Sequence, residues 1–346
     1  TVHFIVSLVR ADLYQCITFF GFNRTRNPWD ANGDGFSEIV KLRNNTFGFD
    51  AFWNVAERSK IKLGAYYINE FRRGGNKFDL LPHQTDVTEQ LQHDIFSAHL
   101  SYEQLSKNLK HKVSLYGSLQ TVNRDSYYGG GGRVLQNGDS LTADDILAIN
   151  AYGNSNDISL VGGVQYSYDI SKKLILSAGS EYIYNDVQDE MSGYERLIAQ
   201  QVGTLGTYAQ LQYDPVPKLT FLLGGRFDHV NIHGNYDLGK EQFSNEDELN
   251  VFVPRITAMY ELTEGLKLRA SFAQGYRGPQ AFDEDLHIET VGGAARFVRL
   301  DPTLIAERSN SGTLSLNFDK IVKRWQMNFV AEGFYTKLDN PFIFSD

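Results

Sequence analysis

Several stretches of this 346-residue chain alternate apolar and polar residues with a strict period of two. Between Thr313 and Asp319, the side chains of Leu314, Leu316 and Phe318 fall on one face, and Thr313, Ser315, Asn317 and Asp319 fall on the other. Successive side chains of a strand point to opposite sides, so this pattern sorts cleanly as β structure, whereas a helix would smear both sets around its circumference. The same sorting separates Val113, Leu115, Gly117 and Leu119 from Ser114, Tyr116, Ser118 and Gln120. It also separates Leu266, Leu268, Ala270 and Phe272 from Lys267, Arg269 and Ser271, and Trp325, Met327, Phe329 and Ala331 from Gln326, Asn328 and Glu332.

The connections between these segments fall into two kinds that alternate along the chain. Short charged turns are predicted near Glu57-Arg58-Ser59, Ser106-Lys107-Asn108, Ser171-Lys172, Pro215-Val216-Pro217, Thr263-Glu264-Gly265 and Ile321-Val322-Lys323. Long loops rich in Gly, Asn and Asp are predicted near 24–37, 73–87, 125–156, 187–198, 232–248 and 278–304. A soluble sandwich has no reason to sort connections by parity, but a membrane barrel has short turns on its periplasmic rim and long loops outside. The expected fold is therefore all-β, an antiparallel up-and-down transmembrane β-barrel of about a dozen strands. Aromatics near strand ends, including Phe52-Trp53, Tyr66-Tyr67, Tyr182, Tyr184, Trp325 and Phe334-Tyr335, fit an interfacial girdle.

Composition agrees with this class. The chain has 42% hydrophobic residues, with 23 Phe and 19 Tyr, yet a mean hydropathy of only −0.35. A barrel strand offers only every second residue to lipid, so overall hydropathy stays modest. No apolar run reaches the roughly 18 residues that a spanning helix needs. Cys16 is the single cysteine, so no disulfide forms within the chain. A formal charge of −9 with scattered basic residues argues against a nucleic-acid partner, which would require clustered cations.

The segment Ser271-Phe272-Ala273-Gln274-Gly275-Tyr276-Arg277-Gly278-Pro279, then Gln280-Ala281-Phe282 and Leu304-Ile305-Ala306-Glu307-Arg308-Ser309, resembles the TonB-dependent receptors of bacterial outer membranes. In that family a Gly-aromatic-basic-small-Pro strand end is followed, after a variable loop, by a Leu-x-Pro-Glu-x-Ser strand start. Here Gly278 takes the small position and Ala306 stands in place of the usual proline. Upstream, Glu70-Phe71-Arg72-Arg73-Gly74-Gly75-Asn76, Leu81-Pro82-His83, Thr88-Glu89-Gln90-Leu91, Arg124-Asp125-Ser126-Tyr127-Tyr128-Gly129 and Ala151-Tyr152-Gly153 resemble a subset of the same family, in matching order. The resemblance covers residues 24 to 340; no family motif can be placed in Thr1 to Phe22.

The resemblance implies an outer-membrane receptor that captures a scarce small-molecule or glycan ligand on external loops and passes it inward when a plug rearranges. Family ligands include iron chelates, cobalamin, other metal complexes and glycans. No plug or contact box for the energy-transducing TonB complex is recognisable, and no signal peptide opens the chain. The expectation is thus one partial barrel domain over 1–346, belonging to a 22-stranded parent, with unpaired first and last strands. A plug-free porin or adhesin barrel fits the periodicity equally well. An outer-membrane hydrolase is the enzymatic alternative, but no GxSxG, GxxxxGK or HExxH string occurs.

Candidate ligand contacts are His83, Tyr127, Tyr128, Arg277 and His287, which the loop assignment places on the outer rim. Asp30, Asn32, Asp34 and Glu38 occupy positions one, three, five and nine of a calcium-type loop, with Gly35 at six, although Lys41 stands where position twelve would supply a bidentate Glu. No cofactor is required by this reading; calcium in that loop is the one candidate, against an Asx-rich turn capped by its own side chains. His229 and His233 are the one close histidine pair, without partners at metal-site spacing.

Overall fold

The computed structural model describes residues 2–9, 14–239, 241–279, 301, 304–322 and 324–343. It contains β1 (Val2–Val9), β2 (Gln15–Arg26), β3 (Lys41–Ala56), β4 (Ser59–Gly75), β5 (Thr88–Leu105), β6 (His111–Gly129) and β7 (Tyr152–Ser171). There follow β8 (Leu174–Met191), β9 (Arg196–Val216), β10 (Leu219–Leu238), β11 (Gln242–Thr263), β12 (Leu266–Arg277), β13 (Glu307–Val322) and β14 (Trp325–Asp339). One helix longer than a turn, α1 (Ala143–Asn150), interrupts the strands among the described residues. Among the described residues the sheet has 14 strands in sequence order, each antiparallel to its neighbour, and β1 does not pair with β14. The up-and-down barrel wall is as expected, with two strands more than a dozen.

The two faces of this sheet invert the burial rule of a soluble protein. Leu63, Leu100, Leu115, Leu223, Ile256 and Leu314 are each more than 40% exposed, while Asn44, Thr46, Asp228, Thr257 and Ser315 are each at most 8% exposed. Cross-strand register aligns the apolar set into rows: Leu211, Leu223, Ile256 and Phe272 are successive partners, and so are Phe221, Ala258, Ala270 and Leu314. Contiguous exposed apolar surface on this scale marks contact with a nonaqueous medium. Within β13 the expected alternation holds at Leu314 and Ser315. Leu316 and Phe318 are only half-buried, shielded by their partners Leu268 and Ala331, and Leu266 and Phe329.

Much of the buried polar face is hydrogen-bonded, as burial of polar groups demands, although the Thr257 hydroxyl has no partner among the described residues. Asn44 Nδ2 donates to Glu70 at 2.7 Å, Thr46 Oγ1 to Asn44 at 3.1 Å, and the Tyr236 hydroxyl to Gln200 at 2.9 Å. Further along this face, the Tyr116 hydroxyl donates to Glu181 at 2.8 Å, and Arg226 bridges Glu181 at 3.3 Å and Asp228 at 2.6 Å.

The predicted short turns form at 57–58, 106–110, 172–173, 217–218 and 264–265; the sixth includes Lys323, which lies outside the described residues, as does most of the predicted 278–304 loop. Two predicted long loops do not form. Residues 187–191 and 196–198 continue β8 and β9 to a tight turn at 192–195, and 232–238 and 242–248 belong to β10 and β11, which end and begin at Leu238 and Gln242. Their Asn, Asp and Gln content mimics loop composition, but the period of two persists. Val187, Ile198, Tyr236 and Phe243 pack together on the buried face, with the Tyr236 and Phe243 rings stacked at 4.7 Å. β11 has 22 residues, about twice the 9–11 that cross a bilayer when tilted. These hairpins therefore project far beyond one rim.

Candidate functional site

On the rim opposite the short turns, the tips of three hairpins meet. The β4–β5 tip carries a one-turn 3-10 helix at Pro82–Gln84, the β6–β7 tip carries α1, and the β8–β9 tip carries another short turn at Ser192–Tyr194. Helix α1 lies against both neighbours. It begins where Thr142-Ala143-Asp144-Asp145 forms a reciprocal capping box: Thr142 accepts from the Asp145 backbone at 3.2 Å, and Asp145 accepts from the Thr142 backbone at 2.9 Å. Hydrogen bonds from Thr142, backbone first, and the adjacent Arg133 hold the Asp145 carboxyl below the ordinary carboxylate range. A group with a depressed folded pKa contributes its stability above its unfolded value, about 4, and loses it as pH falls. The α1 cap is therefore fully formed at neutral pH.

The β4–β5 tip is tied down by its own polar groups. Arg73 Nη2 donates to the Leu80 carbonyl at 2.8 Å, Asn76 Nδ2 donates to Asp86 at 2.6 Å, and Lys77 pairs with Asp86 at 2.7 Å. The hydrogen bond from Lys77 is the main cause of the lowered Asp86 pKa. Gly75 and Gly130 take positive φ values of 108° and 146°, and a β-carbon at either would overlap the backbone of Val87 or Asp86. Glycine is required at both for this close approach.

Of the sequence-predicted contacts, the structure brings together His83 and Tyr127, and joins them through Tyr152. The Tyr127 and Tyr152 rings lie 4.7 Å apart, and His83 Nδ1 shares a hydrogen bond with the Tyr152 hydroxyl at 3.1 Å. Burial lowers the His83 pKa, so the imidazole stays neutral at physiological pH. Tyr127 is fully buried; in this conformation its ring packs the tips together and presents no surface to a ligand. Tyr128, one residue along, points to the opposite face and is half-buried. Arg277 ends β12, remote in strand order from this cluster, and sits 5.7 Å from the Phe342 ring centroid. His287 and Gln280-Ala281-Phe282 lie outside the described residues.

The calcium-type loop closes between β2 and β3. Asp30, Asp34 and Glu38 each offer a carboxylate oxygen within 4.8 Å of the others. Asp30 also accepts from the Gly33 and Gly35 backbone at 2.6 and 2.8 Å, Asp34 from Phe36 at 2.8 Å, and Glu38 from Ala31 at 2.7 Å. Asn32 bonds to Asp34 through both its side-chain oxygen and its amide. Carboxylates that converge while held by backbone donors are oriented for a hard cation, and the same bonds alone would fix the turn.

A feature that sequence reasoning missed is an ion triplet on the buried face. Asp189 pairs with Arg124 at 3.2 Å and with Arg196, whose side chain is 1% exposed. Arg124 and Arg196 stand 72 residues apart in sequence, so only the β6–β7–β8–β9 register unites them.

Comparison with known proteins gives one family and one fold. The family profile described as "TonB dependent receptor-like, beta-barrel" matches residues 11–346. No curated protein matches the sequence. Among solved structures, the ferric-catecholate import receptor Fiu of E. coli K12 is similar at TM-score 0.69 and 12% identity, over 97% of this chain and 56% of its own. The alcaligin outer-membrane receptor FauA of Bordetella pertussis is similar at 0.64 and 13%, over 98% and 49%. The hemophore receptor HasR of Serratia marcescens is similar at 0.68 and 15%, over 98% and 52%. The chain thus spans about half the length of the structures it resembles.

Proposed function

The chain belongs to the TonB-dependent receptor β-barrel family of the bacterial outer membrane, and from that premise we propose that it walls a receptor importing a scarce ligand by loop capture and plug-gated passage. Members of this family are transporters of small-molecule ligands, and the proposal assigns no enzymatic chemistry. The observation that carries it is the combination of an apolar, exposed sheet face with long hairpins gathered on one rim. The first face meets lipid, the polar face lines the lumen, and the hairpins project outside. Plug and TonB complex belong to the proposal as partners of the whole receptor. Because the neighbouring Fiu is a ferric-catecholate import receptor, ferric chelates are the first ligands to try.

The test is uptake of labelled ferric chelates by cells dependent on the whole receptor. Accumulation should be saturable and should stop when the proton-motive force is collapsed. Linear uptake indifferent to the uncoupler would instead indicate a passive porin.

We also propose calcium for the 30–38 loop, supported by the converging Asp30, Asp34 and Glu38 carboxylates; Asn32, whose side-chain oxygen accepts from the Asp34 backbone at 2.9 Å, would be the fourth ligand. Calorimetry on the intact receptor should show heat on adding calcium that Asp34→Ala removes. Unchanged heat in the variant would leave the segment a turn.

A further inference from the structure

A cleft of about 450 Å³ opens beside the hairpin-tip cluster, lined by Gln90, Asp125, Tyr152, Asn154, Glu190 and Ser192. Cross-strand register places it unexpectedly. Gln90, Tyr127 and Tyr152 are successive partners, as are Gln92, Asp125, Asn154 and Glu190. The same alternation carries Phe96, Ile158, Leu160 and Tyr182, each at least 40% exposed, on that face. The cleft therefore lies on the outer side of the wall and not in the lumen. Asn154 stands four residues beyond Ile158, about 13 Å further along the strand at ~3.3 Å per residue, which lifts it out of the acyl-chain band.

The lining suits one kind of ligand. Tyr152 is 41% exposed, and its ring is fixed by the Tyr127 contact behind it and by the hydrogen bond to His83, so it offers a rigid apolar plane. Around it stand two amides, a hydroxyl and two carboxylates, which together donate and accept. Asp125 accepts from Asn154 at 2.8 Å and Glu190 accepts from Ser192, so each keeps acceptor capacity for a further hydroxyl. Among the described residues no Lys or Arg lines the cleft, which disfavours an anion. An apolar plane flanked by mixed neutral donors and by carboxylate acceptors matches a pyranose ring, whose C–H face is apolar and whose rim is all hydroxyl. We infer that this cleft is a saccharide-binding site on the outside of the barrel, separate from the import route. The saccharide comes either from free glycan or from the sugar of an outer-leaflet glycolipid.

The experiment uses the intact receptor in detergent, titrated with a panel of neutral hexasaccharides, with lipopolysaccharide micelles, and with calcium chloride alone. At least one saccharide source should bind, and Asn154→Ala and Glu190→Gln should each weaken it at least tenfold while heat-modifiable migration and ferric-chelate uptake persist. Binding of the free hexasaccharides identifies free glycan, and binding of the micelles alone identifies the glycolipid sugar. Should either variant fail to migrate as a folded barrel, Gln90→Ala carries the same expectation. No saccharide binding, binding unaltered by the variants, or a response to calcium alone would each overturn the assignment. Loss of uptake in wild type would count against the transport reading and leave this one standing.

Discussion

Replacing Leu223 with arginine should destabilise the membrane-folded receptor by about 2–4 kcal/mol, the cost of a cation on the lipid face near the bilayer midplane. Leu223 sits five residues above the short turn at 217–218, in a row with Leu211, Ile256 and Phe272, and is 44% exposed. In a soluble protein an arginine at so exposed a position would cost nothing measurable, typically within ~0.5 kcal/mol. The depth dependence supplies the control. Gln188→Arg, on the same sheet face but in the projecting part of β8, should cost only ~0–1 kcal/mol. Urea titration of folding into vesicles measures both, and equal costs would refute the placement of the lipid band.

The second large effect is expected at Asp189. Its carboxylate is the shared partner of Arg124 and Arg196, with side-chain exposures of 7%, 12% and 1% respectively. Removing one partner of a buried pair costs about 3–5 kcal/mol, and here both guanidinium groups lose the carboxylate they share. Asp189→Ala should therefore loosen the β8–β9 hairpin, read as protease cleavage near 192–195 in a barrel that remains intact below. Unchanged protection would mean that the ladder and the Val187, Ile198, Tyr236 and Phe243 cluster hold the hairpin without the ions.

The contrast between Leu314 and Asp189 shows what a sequence discloses about such a fold. Leu314 was legible because strand period two needs only neighbours along the chain: Leu314 and Ser315 announce opposite faces, and the structure separates them to 55% and 4% exposure. Turn positions were legible for the same local reason. Asp189 was not, because residues 187–198 read as loop by composition, and its partners arrive through strand register. The candidate site followed the same division. His83 and Tyr127 lie together at the hairpin tips opposite the short turns, but Tyr152, which joins them, was noted only as part of a motif. That Tyr127 is packing rather than surface depends on which tip folds over which. α1 carried a local signal, the Thr142-x-x-Asp145 box, inside a segment otherwise dominated by glycine.

The central claim, that apolar residues face lipid and polar residues face the lumen, is tested most directly by nitroxide accessibility in the intact receptor reconstituted in bilayers, with Cys16 and any other cysteine replaced. Labels at Leu63, Leu223 and Leu314 should collide readily with oxygen, which concentrates in the acyl chains, and poorly with a water-soluble nickel chelate. Labels at Thr46, Thr257 and Ser315 should lack that oxygen preference. Equal accessibility profiles for the two sets, or the reverse assignment, would contradict the account.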